Sequence, residues 1–434
     1  MTSLAFMKFI LSQKTLPILA IFCFLPEILA QNVQISKWGY YCEPSICIHP
    51  KDSNIMVAGS VLNQYHYSKD GGKKWKTKKL KSSYGVFGDP VIEVDTAGVF
   101  YFLHLANPPE GNWIDRIVCQ KSLNNGKSWS NGTFVGLNGQ KAQDKHWTAV
   151  DPRNNNLYVT WTEFDKYGST TEGDSTRILF SRSEDQGETW SLPVQINEVS
   201  GDCIDSDETV EGATPTVGPN GEVYVSWVGP NGLVFNKSMD HGRTWLEREV
   251  FIDSVPGGWD FSIPGLDRAN GLPVTKCDLS SGPNNGTIYV NWADQRNDST
   301  DTDIWLSSSK DGGITWAKPV RVNDDSSKKH QFFTWMDIDQ KTGYLYFVFY
   351  DRRAYNDNQT DVYIAESRDG GKTFKNVKIS EKPFIPIIGP FFGDYNNIYV
   401  NGGVLRAIWT RYENGKTSIW TDISKLEDLF VIGH

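Results

Sequence analysis

Hydrophobic and polar residues alternate in short runs along most of the chain. Three examples are GVFYFLHL (98–105), GEVYVSWV (221–228) and GYLYFVFY (343–350), and each is followed by a second run of the same kind. Alternation with a period of two is typical of β-strands that turn one face toward a core. The pairs of runs therefore predict β-hairpins throughout the chain.

Six of these hairpins are followed by an octet of the form Ser-x-Asp-x-Gly-x-x-Trp, with Asn124 in the Asp place of the second copy and Phe374 in the Trp place of the sixth. The first copy is SKDGGKKW (68–75), and the copies recur at intervals of 54 to 71 residues. They begin at Ser68, Ser122, Ser183, Ser238, Ser309 and Ser367. Because Asp bonds backbone amides and Gly accepts positive φ, we interpret the octet as a structural turn rather than as catalytic chemistry.

A seventh hairpin, VLRAIWTRY (404–412) and TSIWTDI (417–423), lies near the C-terminus without an octet. Units of this size bury their faces only against one another, so radial closure is expected. We predict an all-β fold, a β-propeller with seven blades favoured over six. The octets would be the turns between third and fourth strands, and residues 31–434 would form one domain.

The N-terminus predicts export. Lys8 and Lys14 precede an apolar run that ends in small residues at position 30. This pattern is typical of a signal peptide over residues 1–30, with a retained membrane anchor as the alternative. We expect a secreted or periplasmic protein that is free of the membrane after cleavage. Export permits a disulfide such as Cys203 to Cys277.

Charge limits the kinds of partner. The net charge is −9 and no basic run occurs, which argues against nucleic acid because phosphate binding needs clustered Lys and Arg. No Walker loop, HExxH motif or Ser-His-Asp order stands in a usable context. We therefore predict no cofactor, although the acidic loop 294–303 leaves a structural Ca²⁺ open. A monomer is expected.

Strand direction places the octets on one face of the disc and the segments leading into the innermost strands on the other. Those segments bring polar residues toward the axis: Glu43, Asp89, Lys145, His146, Glu211, Arg268, His330, Asp394 and Tyr395. Loops between second and third strands add His104, Trp113, Arg296 and Arg352. We expect the functional site on this face.

Two kinds of chemistry suit these residues. Paired carboxyls such as Asp89 and Glu211 supply the acid and base of a glycoside hydrolase. Alternatively, His146 or Tyr395 removes the C5 proton of a uronic acid.

The remaining candidates are predicted to bind substrate. Arginines suit a carboxylate or sulfate, and Trp113 suits the apolar face of a sugar ring. The predicted substrate-binding residues are Arg268, Arg296, Arg352, His104, His330 and Trp113. The alternative for Arg296 and Arg352 is that each braces its own loop by pairing with a neighbouring Asp.

The octets resemble the Asp-box, or BNR, repeats of the sialidase superfamily, over about residues 40–422. EPSICIHP (43–50) and WVGPNGLVFNKSMDHGRTW (227–245) look like secreted bacterial sialidase-like or glycosyl-hydrolase-like proteins. The resemblance implies a nucleophile at Tyr395 and carboxylate-binding arginines at Arg296 and at Arg352 or Arg353.

Two features depart from true sialidases. The first is that the Arg-Ile-Pro motif of the first blade is absent, with Cys42-Glu43-Pro44 near its place. The second is that sialidases have six blades, whereas seven are predicted for this chain. Seven blades are typical of some polysaccharide lyases, including ulvan lyases.

The sequence therefore supports the hypothesis of a secreted enzyme that degrades poly- or oligosaccharides containing uronic or sialic acid, possibly sulfated, by β-elimination or hydrolysis. An exo-sialidase and a non-catalytic glycan-binding or adhesion propeller are the alternatives.

Overall fold

A computed structural model describes residues 30–430, and the predicted signal peptide lies outside these residues except for its last position. Within the described part, seven four-stranded antiparallel sheets and one short helix, α1 (Leu426–Leu429), account for most of the regular structure. No helix of this part is long and apolar enough to cross a membrane.

The first strand of the described residues is β1 (Asn32–Gln34). Blade 1 contains β2 (Ser45–Ile48), β3 (Met56–Ser60), β4 (Gln64–Ser68) and β5 (Lys76–Lys79). Blade 2 contains β6 (Val91–Val94), β7 (Phe100–Leu105), β8 (Ile117–Ser122) and β9 (Thr133–Val135). Blade 3 contains β10 (Ala142–Val150), β11 (Leu157–Phe164), β12 (Thr176–Ser183) and β13 (Val194–Gln195). Blade 4 contains β14 (Glu211–Val217), β15 (Val223–Gly229), β16 (Gly232–Ser238) and β17 (Val250–Asp253).

A two-stranded sheet of β18 (Asp260–Phe261) and β19 (Ala269–Asn270) lies between blades 4 and 5. Blade 5 contains β20 (Val274–Cys277), β21 (Ile288–Asp298), β22 (Asp301–Ser309) and β23 (Val320–Arg321). Blade 6 contains β24 (Gln331–Asp339), β25 (Tyr344–Asp351), β26 (Asp361–Ser367) and β27 (Lys375–Lys378). Blade 7 contains β28 (Asn397–Asn401), β29 (Val404–Glu413) and β30 (Lys416–Asp422), together with β1.

The seven innermost strands form a closed ring around the axis. Strands β2, β6, β10, β14, β20, β24 and β28 each contact the next one, and β28 contacts β2. The predicted seven-bladed β-propeller is confirmed. Radial closure packs the faces of each blade against its neighbours and leaves only short sheet edges.

The two ends of the chain meet in blade 7, and their pairing closes the ring. Strand β1 pairs with β30 and supplies the outermost strand of blade 7, with Asn32 opposite Asp422. Ile35, just after β1, packs in one cluster with Ile46 of blade 1 and with Ile408 and Ile419 of blade 7. The sequence showed only the hairpin of this blade because a three-residue strand carries almost no periodic signal.

Each octet joins the third strand of its blade to the fourth, as predicted. In the first copy, the Ser68 hydroxyl donates to Asp70 Oδ1 at 2.9 Å and accepts the Gly72 N–H at 3.0 Å. Trp75 Nε1 donates to the Gly72 carbonyl at 2.8 Å. All of these partners lie within the octet, which fits a purely structural turn.

Asp369 is the acidic residue of the sixth octet. We expect it to make the stability of the fold sensitive to acid. Although burial acts in the opposite direction, hydrogen bonds from Thr373 and Ser367 lower the pKa of Asp369 to about 2. A lowered pKa in the folded state means that the contribution of Asp369 is complete above the unfolded carboxyl pKa and disappears as the pH falls through about 2.

We expect Asp369→Asn to lower the free energy of unfolding by about 1 kcal/mol at neutral pH. The difference from the wild type should shrink in acid, as measured by urea denaturation across the pH range. Glu110→Gln, at an exposed position, is the control and should match the wild type throughout. A deficit of Asp369→Asn that grows in acid would contradict this account.

The cysteines of the described residues are all buried and free: Cys42, Cys47, Cys119, Cys203 and Cys277. The bridge that export would permit between Cys203 and Cys277 is not formed.

Candidate functional site

The face opposite the octets carries a cluster of charged residues at the ends of the innermost strands. Glu43, Asp89 and Lys145 each adopt a left-handed backbone, with φ of 52°, 47° and 48°. β-bulges interrupt the pairing of β10 between Asp144 and Trp147, and similar bulges occur in β14 and β24. Such bulges and strained residues redirect side chains, and they concentrate at functional sites.

Asp394 is the centre of this cluster. Its fully buried carboxylate lies 2.7 Å from Lys145 Nζ and pairs through both oxygens with Arg268, whose Nε is 2.6 Å from Oδ1. The Asp394 amide donates to Glu43 Oε1 at 3.1 Å. Although burial raises it, Lys145 and Arg268 hold the pKa of Asp394 well below its ordinary value.

Five more carboxyls form an arc beside these ion pairs. They come from the first four blades, in chain order: Glu43, Asp89, Asp144, Asp205 and Glu211. Asp144 lies close enough to Asp89, and Glu211 close enough to Asp205, for the negative charge of one to raise the pKa of the other. We call this group the carboxyl arc. With Asp394, six carboxyl groups face the two cations Lys145 and Arg268.

The environment separates the protonation states of the arc. Burial, and then the negative charge of Asp205, raises the pKa of Glu211 well above its ordinary value. Burial also raises the pKa of Asp89, and it raises the pKa of Asp144 to about 7. Although burial opposes it, the positive charges of Lys145 and Arg268 lower the pKa of Asp205. Groups able to give and to accept a proton thus lie side by side.

Asp205 connects the arc to an exposed aromatic side chain. Its Oδ2 accepts hydrogen bonds from Tyr167 at 2.5 Å and from Arg268 Nη1 at 2.8 Å. The Tyr167 ring meets Trp113 edge to face at 5.3 Å, and Trp113 also meets Phe87 at 5.6 Å. Since Trp113 is 44% exposed, an apolar platform lies at the outer edge of the arc.

Tyr395 lies deeper in the same site. Its ring meets Trp147 at 5.0 Å and Trp335 at 6.3 Å, and its hydroxyl has no hydrogen-bond partner within residues 30–430. Burial, followed by the charge of Asp89, raises the pKa of Tyr395 well above its ordinary value. The cavity beside it, lined also by Lys145, measures only about 20 Å³, close to the space of one water.

The three predicted histidines lie away from the arc. His104 bonds the Leu105 carbonyl at 2.8 Å and Gln120 at 3.2 Å, and His330 contacts Thr302 at 2.9 Å. His146 is 1% exposed, and burial lowers its pKa to about 3. All three imidazoles are enclosed and neutral near pH 7, with the pKa of both His104 and His330 lowered by burial to about 4.

The predicted arginines do not meet in one place. Arg296 pairs with Asp294 at 2.6 Å and Asp253 at 3.0 Å, and it stacks on Trp305 within its own blade. Arg352 is 2% exposed and donates to the Pro264 carbonyl at 2.8 Å.

Only Arg268 of the three reaches the arc, and its side chain is 33% exposed. Arg353, not Arg352, braces its loop by pairing with Asp351 at 2.7 Å. Of the predicted site residues, the structure thus brings Asp89, Glu211, Arg268 and Tyr395 together, with Trp113 at the edge.

Three residues of the site were missed by the sequence analysis: Asp144, Tyr167 and Asp205. Asp205 stands in the acidic run GDCIDSDETVEG (201–212), just before the predicted Glu211. That concentration of acidic residues in front of an innermost strand is a signal for the loop, but it does not single out Asp205. Within the described residues, no group of three or more His, Cys, Asp or Glu is arranged to hold a metal ion.

Comparison with protein families agrees with the repeats. A model of the BNR repeat-like domain family matches residues 155–383, which is just over half of the chain. The chain belongs to this family. The predicted membership of the BNR repeat proteins is confirmed, and no curated protein matches the chain.

Solved structures with a similar fold are distant in sequence. The NanB sialidase from Streptococcus pneumoniae is 10% identical and superimposes with a TM-score of 0.51, covering 86% of this chain and 84% of that one. An ulvan lyase from a new family of polysaccharide lyases is 11% identical with a TM-score of 0.53, covering 92% of this chain and 99% of that one. At these identities the likeness shows the propeller fold alone.

Proposed function

We propose that this BNR repeat-like protein is a carbohydrate-active enzyme that hydrolyses glycosidic bonds at the carboxyl arc. The observation that carries the proposal is the connection from exposed Trp113 through Tyr167 to Asp205. An exposed Trp is a suitable platform for a sugar ring, and a low-pKa carboxylate beside high-pKa carboxyls is the arrangement that glycoside hydrolysis needs. The sialidase and the lyase of similar fold act on glycans, which supports the same class of substrate.

In the proposed reaction, Asp89 is the general acid and Asp205 the general base. Asp89 gives its proton to the leaving glycosidic oxygen as the C–O bond breaks. A water adds to the sugar carbon, and Asp205 accepts the proton that this water loses. The raised pKa of Asp89 and the lowered pKa of Asp205 suit these two roles.

Charge balance favours hydrolysis over β-elimination. An elimination from a uronic acid needs a cation to stabilise the carboxylate as the C5 proton leaves. Lys145 and Arg268 are both already paired with Asp394, and six carboxyls surround them. A uronate carried into the cluster would meet mostly negative or proton-bearing groups.

An acidic glycan is the second candidate for the substrate, and Arg268 supports it. Its side chain is 33% exposed and stands over Phe391 at 5.9 Å, so its guanidinium can meet a carboxylate or sulfate from the open side. We further propose that the protein acts outside the cytoplasm, on the strength of the predicted signal peptide.

A product assay over neutral, uronic, sialylated and sulfated oligosaccharides tests the proposal. We expect new reducing ends, and we expect no product with the ultraviolet absorption of a 4,5-unsaturated uronate. In the Arg268→Gln protein, activity on acidic oligosaccharides should fall relative to neutral ones if the second candidate holds. An unsaturated product would overturn hydrolysis, and binding without any turnover would assign a non-catalytic glycan-binding role.

A further inference from the structure

A second cavity lies on the propeller axis, at the face that carries the octets. It has a volume of about 260 Å³ and is lined by the last residues of inner strands and by the turns that follow them. Its polar lining includes Glu93, Thr148, Lys276, Asp337 and Tyr399. We call it the octet-face cavity.

Two tryptophans separate this cavity from the carboxyl arc. Trp147 and Trp335 pack with tilted rings whose centroids are 4.2 Å apart, and both line the small space beside Tyr395 and an axial space of about 60 Å³ that leads to Lys276 and Tyr399. The two aromatic rings are 7% and 8% exposed. A ligand in the octet-face cavity would therefore be out of reach of Asp89 and Asp205.

Charged groups from different blades converge in the octet-face cavity. Lys276 Nζ lies 3.2 Å from Asp337 Oδ1, and the Val400 amide donates to Asp337 Oδ2 at 2.8 Å. Glu93 faces the same lysine, and burial raises its pKa to about 7. The Lys276 side chain is still 29% exposed, so the ammonium group has N–H donors left for another partner.

An unsatisfied hydroxyl points to something that completes this lining. Thr148 is 6% exposed, and its Oγ1 has no hydrogen-bond partner within residues 30–430. A buried hydroxyl without a partner costs free energy, so such groups are normally satisfied by water or by a ligand. Thr148 comes from blade 3 and Lys276 from blade 5, so the polar groups surround the cavity.

We propose that the octet-face cavity binds a small neutral polyhydroxyl ligand of the size of one sugar ring, separately from the carboxyl arc. An anion would face the carboxyl groups of Glu93 and Asp337, and a cation would face Lys276. A hydroxyl group both donates and accepts, so a neutral polyol satisfies carboxylates, the ammonium group and the threonine together. The volume lies just below the usual range for ligand pockets, which limits the ligand to about one ring.

The inference does not depend on the proposed hydrolysis, and binding measurements on the full chain test it. The probes are D-glucose, D-galactose and L-rhamnose, with D-glucuronate and D-glucosamine as charged counterparts, and titration calorimetry gives the dissociation constants. We expect at least one neutral sugar to bind more tightly than either charged sugar.

Two variants locate the site. Thr148→Val keeps the shape but removes the hydroxyl and should weaken binding about tenfold. Lys276→Met removes the ammonium group and should also weaken binding. It provides a second test of the site if the first variant does not fold. Asp205→Ala should leave this binding unchanged.

Three outcomes would overturn the proposal. One is that no neutral sugar binds. Another is that a charged counterpart binds more tightly than any neutral sugar. The last is that binding disappears in Asp205→Ala but persists in Thr148→Val and Lys276→Met, because that result places the sugar at the carboxyl arc.

Discussion

Replacing Asp394 by asparagine is expected to lower the free energy of unfolding by about 3–5 kcal/mol, because removing one member of a buried ion pair leaves the other charge without compensation. Here one carboxylate serves two cations: Arg268 also pairs with Asp205, but Asp394 is the ion-pair partner of Lys145. The side chain of Asp394 is fully buried, and that of Lys145 is 7% exposed. Water therefore cannot solvate the ammonium group of Lys145 once the carboxylate is gone. The asparagine has nearly the same shape, which confines the change to charge.

Chemical denaturation of the wild type and the variant at neutral pH measures this loss. Glu427→Gln is the control, since it removes a carboxylate from the exposed Lys425 pair and should change stability by less than about 1 kcal/mol. If Asp394→Asn lowers the free energy of unfolding by an equally small amount, the cluster is hydrated rather than buried. That result would also remove the basis for the separated pKa values of the arc.

The ion pairs of this cluster are the reason that an acidic glycan is only the second candidate for the substrate. Positive residues in a sequence predict anion binding most strongly where they have no internal partner, and both Lys145 and Arg268 pair with carboxylates. Glu43 adds another carboxyl near the place where the resemblance to sialidases implies an arginine. The identity of the residues was visible in the sequence, but their pairing was not.

Much of the architecture could be predicted because its signals are local. The octets and alternating runs identify six blades directly, and the direction of the strands places Asp89, Glu211, Arg268 and Asp394 on one face. The three-residue strand β1 was not predictable, because its pairing with β30 depends on chain closure rather than on its own sequence.

The interior of the site depended on features that sequence does not show. A bulge at Lys145 and His146 decides which of these neighbours faces the axis, and it turns Lys145 toward Asp394 while His146 is buried beside Leu103. Asp205 lies in a loop whose several acidic residues look alike in the sequence. Only the fold selects the one that meets Tyr167 and Arg268.

Replacing Asp205 by alanine is expected to reduce kcat on the substrate identified by the product assay by about 10²–10⁴-fold, the usual contribution of general acid–base catalysis. The pH dependence of kcat/KM should identify the role. A base must be deprotonated, so in the wild type the acidic limb should follow Asp205, whose pKa is lowered. The acid must hold its proton, so the alkaline limb should follow Asp89, whose pKa is raised. Asp89→Asn should lower kcat and remove the alkaline limb, and Asp205→Ala should remove the acidic one.

A structural role for Asp205 would give a different result, because the residue also holds Tyr167 and Arg268. If Asp205 accepts the proton of the attacking water, added formate should restore part of the turnover of Asp205→Ala by supplying a small carboxylate base. Asp207→Asn is the matched control, since Asp207 lies exposed in the same acidic loop and should retain wild-type turnover and both limbs. Lost turnover with an unchanged pH profile and no rescue would assign Asp205 to positioning. Full turnover in Asp205→Ala would exclude it from the reaction, and the carboxyl arc would then lose its proposed base.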